Sequence, residues 1–129
     1  MGQIKVYGLK ESLTPIRQQL SKVIHSCVMD AFEYPAEKKF HRFFPMNKDD
    51  FMFPNDRTEA YTIIEISIFE GRTLESKKKL INLLFERIHN ELNISTQDVE
   101  ITLFETPKHN WGIRGVPADE LTLNYKVNV

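Results

Sequence analysis

The chain has 129 residues, 41% hydrophobic and 27% charged, with a formal net charge of −1. That balance suits one soluble globular domain and carries no electrostatic footprint for nucleic acid. Its single cysteine, Cys27, excludes an internal disulfide, and no apolar run approaches the roughly 18 residues of a membrane span.

The opening stretch MGQIKVYGLK lacks the apolar core of a signal peptide. Gly2 begins a nominal myristoylation pattern, but Val6 stands where Ser or Thr is required. A cytoplasmic location is the expectation. Gln3–Leu9 reads as a strand with Ile4, Val6 and Gly8 on one face. Thr14-Pro15 starts a helix, because Thr can cap and Pro is preorganised for the first helical position. Its apolar face is Ile16, Leu20, Val23, Ile24, Cys27, Val28 and Ala31, and Pro35 ends it. Lys39–Phe44 is a second strand of mixed polarity, stopped by Pro45.

The segment Pro45–Ala60 is too long for a hairpin turn. It carries Phe51, Met52 and Phe53 between Asp49-Asp50 and Asp56. It reads either as a loop folded onto its own domain or as an arm that reaches another subunit.

Ile64, Ile66 and Ile68 then alternate with polar residues in a strand over Tyr61–Phe69, which Gly71 breaks. Thr73 can cap a helix whose apolar positions are Leu80, Ile81, Leu84, Ile88 and Leu92. Arg72 sits in the strand–helix turn, where first-turn amides can help a cation hold an anion. Asn93 suits a left-handed helix end, and Ser95 with Asp98 suits a short capped turn. Val99–Glu105 is a strand. Residues 106–120 are a loop rich in Gly and Pro. Leu121, Leu123, Tyr125, Val127 and Val129 alternate, which predicts a last short strand.

The chain repeats itself at an offset of 60 residues. Ile4 and Val6 recur as Ile64 and Ile66, Leu20 and Ile24 as Leu80 and Leu84, and Phe44 as Phe104. The repeat predicts an α+β domain of two tandem βαβ units, residues 3–44 and 61–105, joined by 45–60 and followed by 106–129. Two such units make a four-stranded mixed sheet with both helices on one face. Nothing in the sequence covers the other face, so another subunit is expected there.

P-loop, G-x-G-x-x-G, C-x-x-C, H-E-x-x-H and G-x-S-x-G motifs are absent. His25 and His89 fall within helices at the helix–core boundary, His41 is expected to face out of its strand, and His109 lies in a loop. No metal-ligand spacing occurs among them. Lys77–Lys79 reads mainly as a solvated helix face, and Cys27 as core. Arg42, between His41 and Phe43, reads either as a sheet arginine paired with a carboxylate or water, or as a partner of Arg72 in an anion pocket. Arg57 and Arg114 are lesser candidates for the same role.

Several features occur in one order and spacing: the two βαβ units, Asp30-Ala31-Phe32, Pro35-Ala36, the strand Tyr61–Phe69, Gly71-Arg72 opening the second helix, Ser95 to Val99, and Trp111 with Arg114-Gly115. In these the chain resembles the tautomerase superfamily, the group with macrophage migration inhibitory factor and oxalocrotonate tautomerase. At this length it looks closest to the malonate semialdehyde decarboxylase branch. The resemblance implies a homotrimer with sites between subunits and no metal or organic cofactor. It also implies catalysis by an amino-terminal proline freed of the initiator Met. Arg72 matches a carboxylate-binding arginine, and Trp111 matches an aromatic residue lining the pocket.

The departures are specific. The proline position is Gly2, whose free amine would still be a base near neutral pH. The decarboxylase's second arginine falls on Glu70, and its catalytic aspartate falls on Lys38. Decarboxylation is therefore not expected. Three readings follow: a cofactor-independent isomerase or lyase acting on a small 2-oxo or enol carboxylate, a non-catalytic trimer that binds a small anion or a protein partner, or a ferredoxin-like regulatory domain that dimerises through its open sheet.

Overall fold

The alternating isoleucines of the two repeats meet at the centre of the fold. The computed structural model describes residues 2–121 and residue 129. Strands β1 (Gly2–Leu9) and β3 (Thr62–Phe69) run antiparallel, with Ile4 opposite Ile66 and Val6 opposite Ile64. Strand β2 (His41–Met46) adds parallel to β1, and β4 (Val99–Thr106) adds parallel to β3. The sheet order is β2-β1-β3-β4. Ile4 pairs with His41 and Ile64 with Ile101, a separation of 37 residues in both units. The repeat thus persists in the hydrogen-bond register. Each unit's two strands are direct neighbours, so neither is the split βαβ of a ferredoxin-like sheet.

The helical layer holds α1 (Lys10–Leu13), a 3₁₀ turn at Thr14–Ile16, α2 (Arg17–Phe32) and α3 (Leu74–Leu92). Leu20, Ile24, Cys27, Leu80, Leu84 and Ile88 bury against Ile4, Val6, Ile64 and Ile66. Burial pushes the Cys27 thiol up to about 11, as expected of a core residue. Thr73 caps α3 by accepting from the Ser76 N–H. Asn93 adopts φ 56, and Ser95 accepts from the Gln97 N–H.

Several local expectations are corrected. Helix begins at Lys10, before Thr14-Pro15. Pro15 lacks the N–H that would return to the Glu11 carbonyl, so the chain tightens into the 3₁₀ turn and resumes as α2. β2 begins at His41 and runs through Pro45 to Met46. It is an edge strand, where a proline's missing donor is tolerated. His41 faces inward and shares a 2.7 Å hydrogen bond with Ser21 of α2. Residues 106–120 contain a hairpin, β5 (Gly112–Ile113) and β6 (Val116–Pro117). Its turn residues Arg114 and Gly115 both have positive φ, 51° and 87°, as a type I′ turn demands. The expected strand at Leu123, Tyr125 and Val127 lies outside the described residues.

Segment 45–60 lies against its own domain. Phe51 and Phe53 pack on Tyr61, with ring centroids 5.6 and 5.3 Å away, while Met52 is 87% exposed. The backbone N–H and hydroxyl of Thr58 both donate to the carboxylate of buried Asp98. The sheet face away from the helices carries Tyr7 stacked on Phe44, together with Ile63 and Phe104, the last 47% exposed. Among the described residues no helix is long and apolar enough to cross a membrane.

Asp98→Ala should leave two donors of Thr58 unmet and cost about 1–3 kcal/mol. Urea unfolding measures the loss, and limited proteolysis should show faster cleavage within 45–60. An unchanged midpoint would show that Asp98 does not anchor the segment.

Candidate functional site

Antiparallel pairing brings the start of β1 to the end of β3. Gly2 lies opposite Ile68, just before the turn that carries Arg72. Gly71 has φ 119 there, a conformation that favours glycine. Arg72 then folds inward and is only 6% exposed. Its Nη1 donates to the Phe32 carbonyl at 3.2 Å, and its guanidinium carbon lies 4.3 Å from the Phe32 ring centroid. Phe32 is the last residue of α2, so the cation sits at the negative end of that helix. Burial lowers the Arg72 pKa, yet an arginine stays protonated at any physiological pH.

The helix ends at Glu33, with φ 50, and the chain turns so that Tyr34 points back to β1. The Gly2 N–H donates to the Tyr34 hydroxyl at 2.9 Å. Tyr34 is buried, which raises its phenol pKa, while the Gly2 N–H and the Arg72 charge act the other way. Gly2, Tyr34, Arg72, Phe32, Lys38 and Phe40 line one small cavity of about 10 Å³, close to the volume that a single water needs.

Lys38 and Phe40 also form the wall of an outer pocket of about 330 Å³. Its other lining includes Gln3, Trp111, Ile113 and Arg114. Trp111 is held edge-on to Phe69 at 4.9 Å, and its carbonyl accepts from the Ala118 N–H at 2.7 Å. Arg42 lies opposite Lys5 on the sheet face away from the helices, and its Nη2 donates to Gln3 Oε1 at 3.1 Å. The fold therefore gathers Gly2 with Arg72, and Trp111 with Arg114, in adjoining cavities. Arg42 stays at the rim, away from Arg72. Arg57 lies elsewhere, paired with Asp56 and Glu100. At the start of α3 the Thr73 N–H and the Ser76 hydroxyl both donate to the main-chain oxygen of Val129, at 3.2 and 2.6 Å.

Tyr34 and Phe40 escaped the sequence reading. Both sit in the short connection around Pro35, which has no periodicity to read. The repeat held a signal for Tyr34, since a residue with a polar tip stands where the second copy has Ile94. Among the described residues no three His, Cys, Asp or Glu side chains converge as a metal site.

Residues 38–114 match a family described as Tautomerase enzyme. The chain belongs to the tautomerase family. A probable tautomerase of Bacillus subtilis, YusQ, is 28% identical over 99 residues, covering 73% of this chain and 78% of that protein. The 2-hydroxymuconate tautomerase of a Pseudomonas species is 37% identical over 59 residues, covering 46% of this chain and 94% of that protein. Nearly all of that relative thus matches a stretch one repeat long. Among solved structures, malonate semialdehyde decarboxylase superposes with a TM-score of 0.77 at 19% identity, over 86% of this chain and 89% of that one. A fused 4-OT described as an asymmetric trimer gives 0.80 at 22% identity, over 91% and 96%. At these identities the superpositions speak for the fold, and they agree with the tandem βαβ units. Membership in this family displaces the ferredoxin-like reading.

His41 borders the Gly2–Arg72 cavity as well as the edge of the sheet. Burial pushes its pKa down to about 4, helped by His25, 5.8 Å away between ring centroids, and by the Lys39 cation. The folded chain keeps His41 neutral, whereas the unfolded chain protonates it below about 6.5. Between those values the unfolded state binds more protons, so stability should fall as pH drops from about 6.5 toward 4. Urea unfolding across that window should give a flatter profile for His41→Asn. Identical slopes would remove His41 as the cause.

Proposed function

We propose that this tautomerase-family chain is a cofactor-independent isomerase of a small 2-oxo or enol carboxylate, working as a cytoplasmic homotrimer. The observation that carries the reading is the small cavity in which Gly2 and Arg72 share walls, with Lys38 and Phe40 common to it and to the outer pocket of Trp111 and Arg114. A guanidinium can grip a carboxylate through two parallel hydrogen bonds. The 330 Å³ outer pocket has the size of a small-molecule site, and Trp111 with Ile113 gives it an apolar wall. Relatives named as 2-hydroxymuconate tautomerases support the substrate class.

In this mechanism the Gly2 amine, freed of Met1, takes the proton from the enol hydroxyl and returns it to the far carbon of the enol double bond, so that the O–H bond and the C=C double bond are replaced by a C=O double bond and a new C–H bond. Tyr34 fixes the position of that nitrogen, which a glycine backbone alone leaves loose. Lys38 and Arg114 add positive charge at the pocket mouth. The trimer is supported by the apolar residues on the sheet face away from the helices and by the trimer described for fused 4-OT.

A second reading, a non-catalytic anion-binding trimer, is favoured by one observation. Arg72 is buried beside a cavity of only about 10 Å³. While Met1 is attached, moreover, the Gly2 nitrogen is an amide and not a base.

Ketonisation of 2-hydroxymuconate by protein whose mass shows Met1 removed separates the two. Arg72→Ala should lower kcat/KM by about 10- to 100-fold, the worth of one charged hydrogen-bonding group. Gly2→Pro should raise kcat by about tenfold or more, since a fixed secondary amine replaces a loose primary one. A Cβ at residue 2 meets its nearest atoms at 3.8 Å, an ordinary van der Waals distance. No turnover in either protein, with a carboxylate still raising the Tm, would favour the binding-only reading. Light scattering should give three chains per particle, and a dimer would overturn the assembly.

A further inference from the structure

A separate groove runs between the first turns of α2 and the outer edge of β2. Its volume is about 590 Å³, and Arg17, Lys22, Lys39, Ser21, His41 and Phe43 line it, with Gln18 and Gln19 at the side. All its formally charged residues are cations, on a chain whose net charge is −1. None of the three makes an ion pair among the described residues, whereas Lys48, Arg57, Lys77 and Arg87 all do. Arg17 is held in place by donating from Nε to the Thr14 carbonyl at 3.2 Å. The floor is ordered as well, because Ser21 and His41 share a 2.7 Å hydrogen bond.

The groove's chemistry selects its occupant. Three cations match a doubly charged tetrahedral oxyanion better than one carboxylate, which carries a single charge. The Ser21 hydroxyl and the two glutamine amides provide neutral polar groups beside it. Phe43 adds an apolar wall, and the volume exceeds what a bare ion fills. We infer that the Arg17–Lys22–Lys39 groove is a second binding site, for a small phosphomonoester whose phosphate meets the three cations and whose organic body lies on Phe43.

His41 is a built-in reporter, since its ring faces the groove and its charge state feels Lys39, His25 and any anion nearby. NMR titration of the His41 ring in the full chain, with phenyl phosphate and with inorganic phosphate, tests the site. Sodium chloride at matched ionic strength is the control. Phenyl phosphate should give a saturable upward shift of the His41 pKa that chloride does not reproduce. Arg17→Gln combined with Lys22→Gln, both on exposed helix positions, should weaken binding by about tenfold or more. Arg72→Ala should leave binding unchanged, which separates this groove from the proposed active site. Phenyl phosphate should also bind more tightly than inorganic phosphate, and equal affinities would overturn the organic ligand. A response no larger than that to chloride, or one lost in Arg72→Ala and kept in the double variant, would overturn the site.

Discussion

The antiparallel pairing of β1 with β3 is the constraint on which everything else depends. It joins the two βαβ units across their most hydrophobic strands, and Ile4, Val6, Ile64 and Ile66 are all nearly inaccessible. It also makes the repeat symmetric. Lys5 pairs with Glu65, its own counterpart 60 residues on, so a pseudo-twofold axis passes through that pair. Helix packing, the edge positions of β2 and β4, and the meeting of Gly2 with the turn after β3 all follow from that one register.

Much of the architecture was legible because it rests on periodicity. Period-2 isoleucines mark β1 and β3, and three- and four-residue spacing marks α2 and α3. The caps at Thr73, Asn93 and Ser95 are local chemistry, readable from a few residues. Errors arose where tertiary context overrides local signals. Pro45 reads as a strand stop, but β2 is an edge strand and its neighbour asks nothing of the missing donor. His41 reads as outward in a polar stretch, yet Ser21 of α2 draws it in.

The site was legible in part. Arg72 could be singled out from its turn, and Gly2 from the family resemblance. Their place in one cavity could not, because it depends on an antiparallel register that neither local sequence encodes. The surroundings of Arg72 were illegible for the same reason. The N–H of Thr73, which caps the following helix, donates to Val129, and the cation is held by the carbonyl and ring of Phe32, forty residues earlier in the chain. Contacts of that separation leave no trace in spacing.

The segment 58–60 shows how a duplicated chain comes to have unequal halves. The pseudo-twofold axis carries Gly2, Tyr34, Lys38 and Arg72 onto Thr62, Ile94, Asp98 and Ser12. At that mirrored location the Thr58 N–H and hydroxyl donate to Asp98, the Ser12 hydroxyl donates to the Glu59 carbonyl at 2.7 Å, and the Thr62 hydroxyl donates to the Ala60 carbonyl at 2.9 Å. The connecting chain fills with its own backbone the place where the first copy has a cavity. In the second copy the chain leading into β3 occupies this place and acts as a buttress. Among the described residues the molecule is thus symmetric in its sheet and asymmetric at the two ends of its pseudo-twofold, with a cavity at one and packed chain at the other.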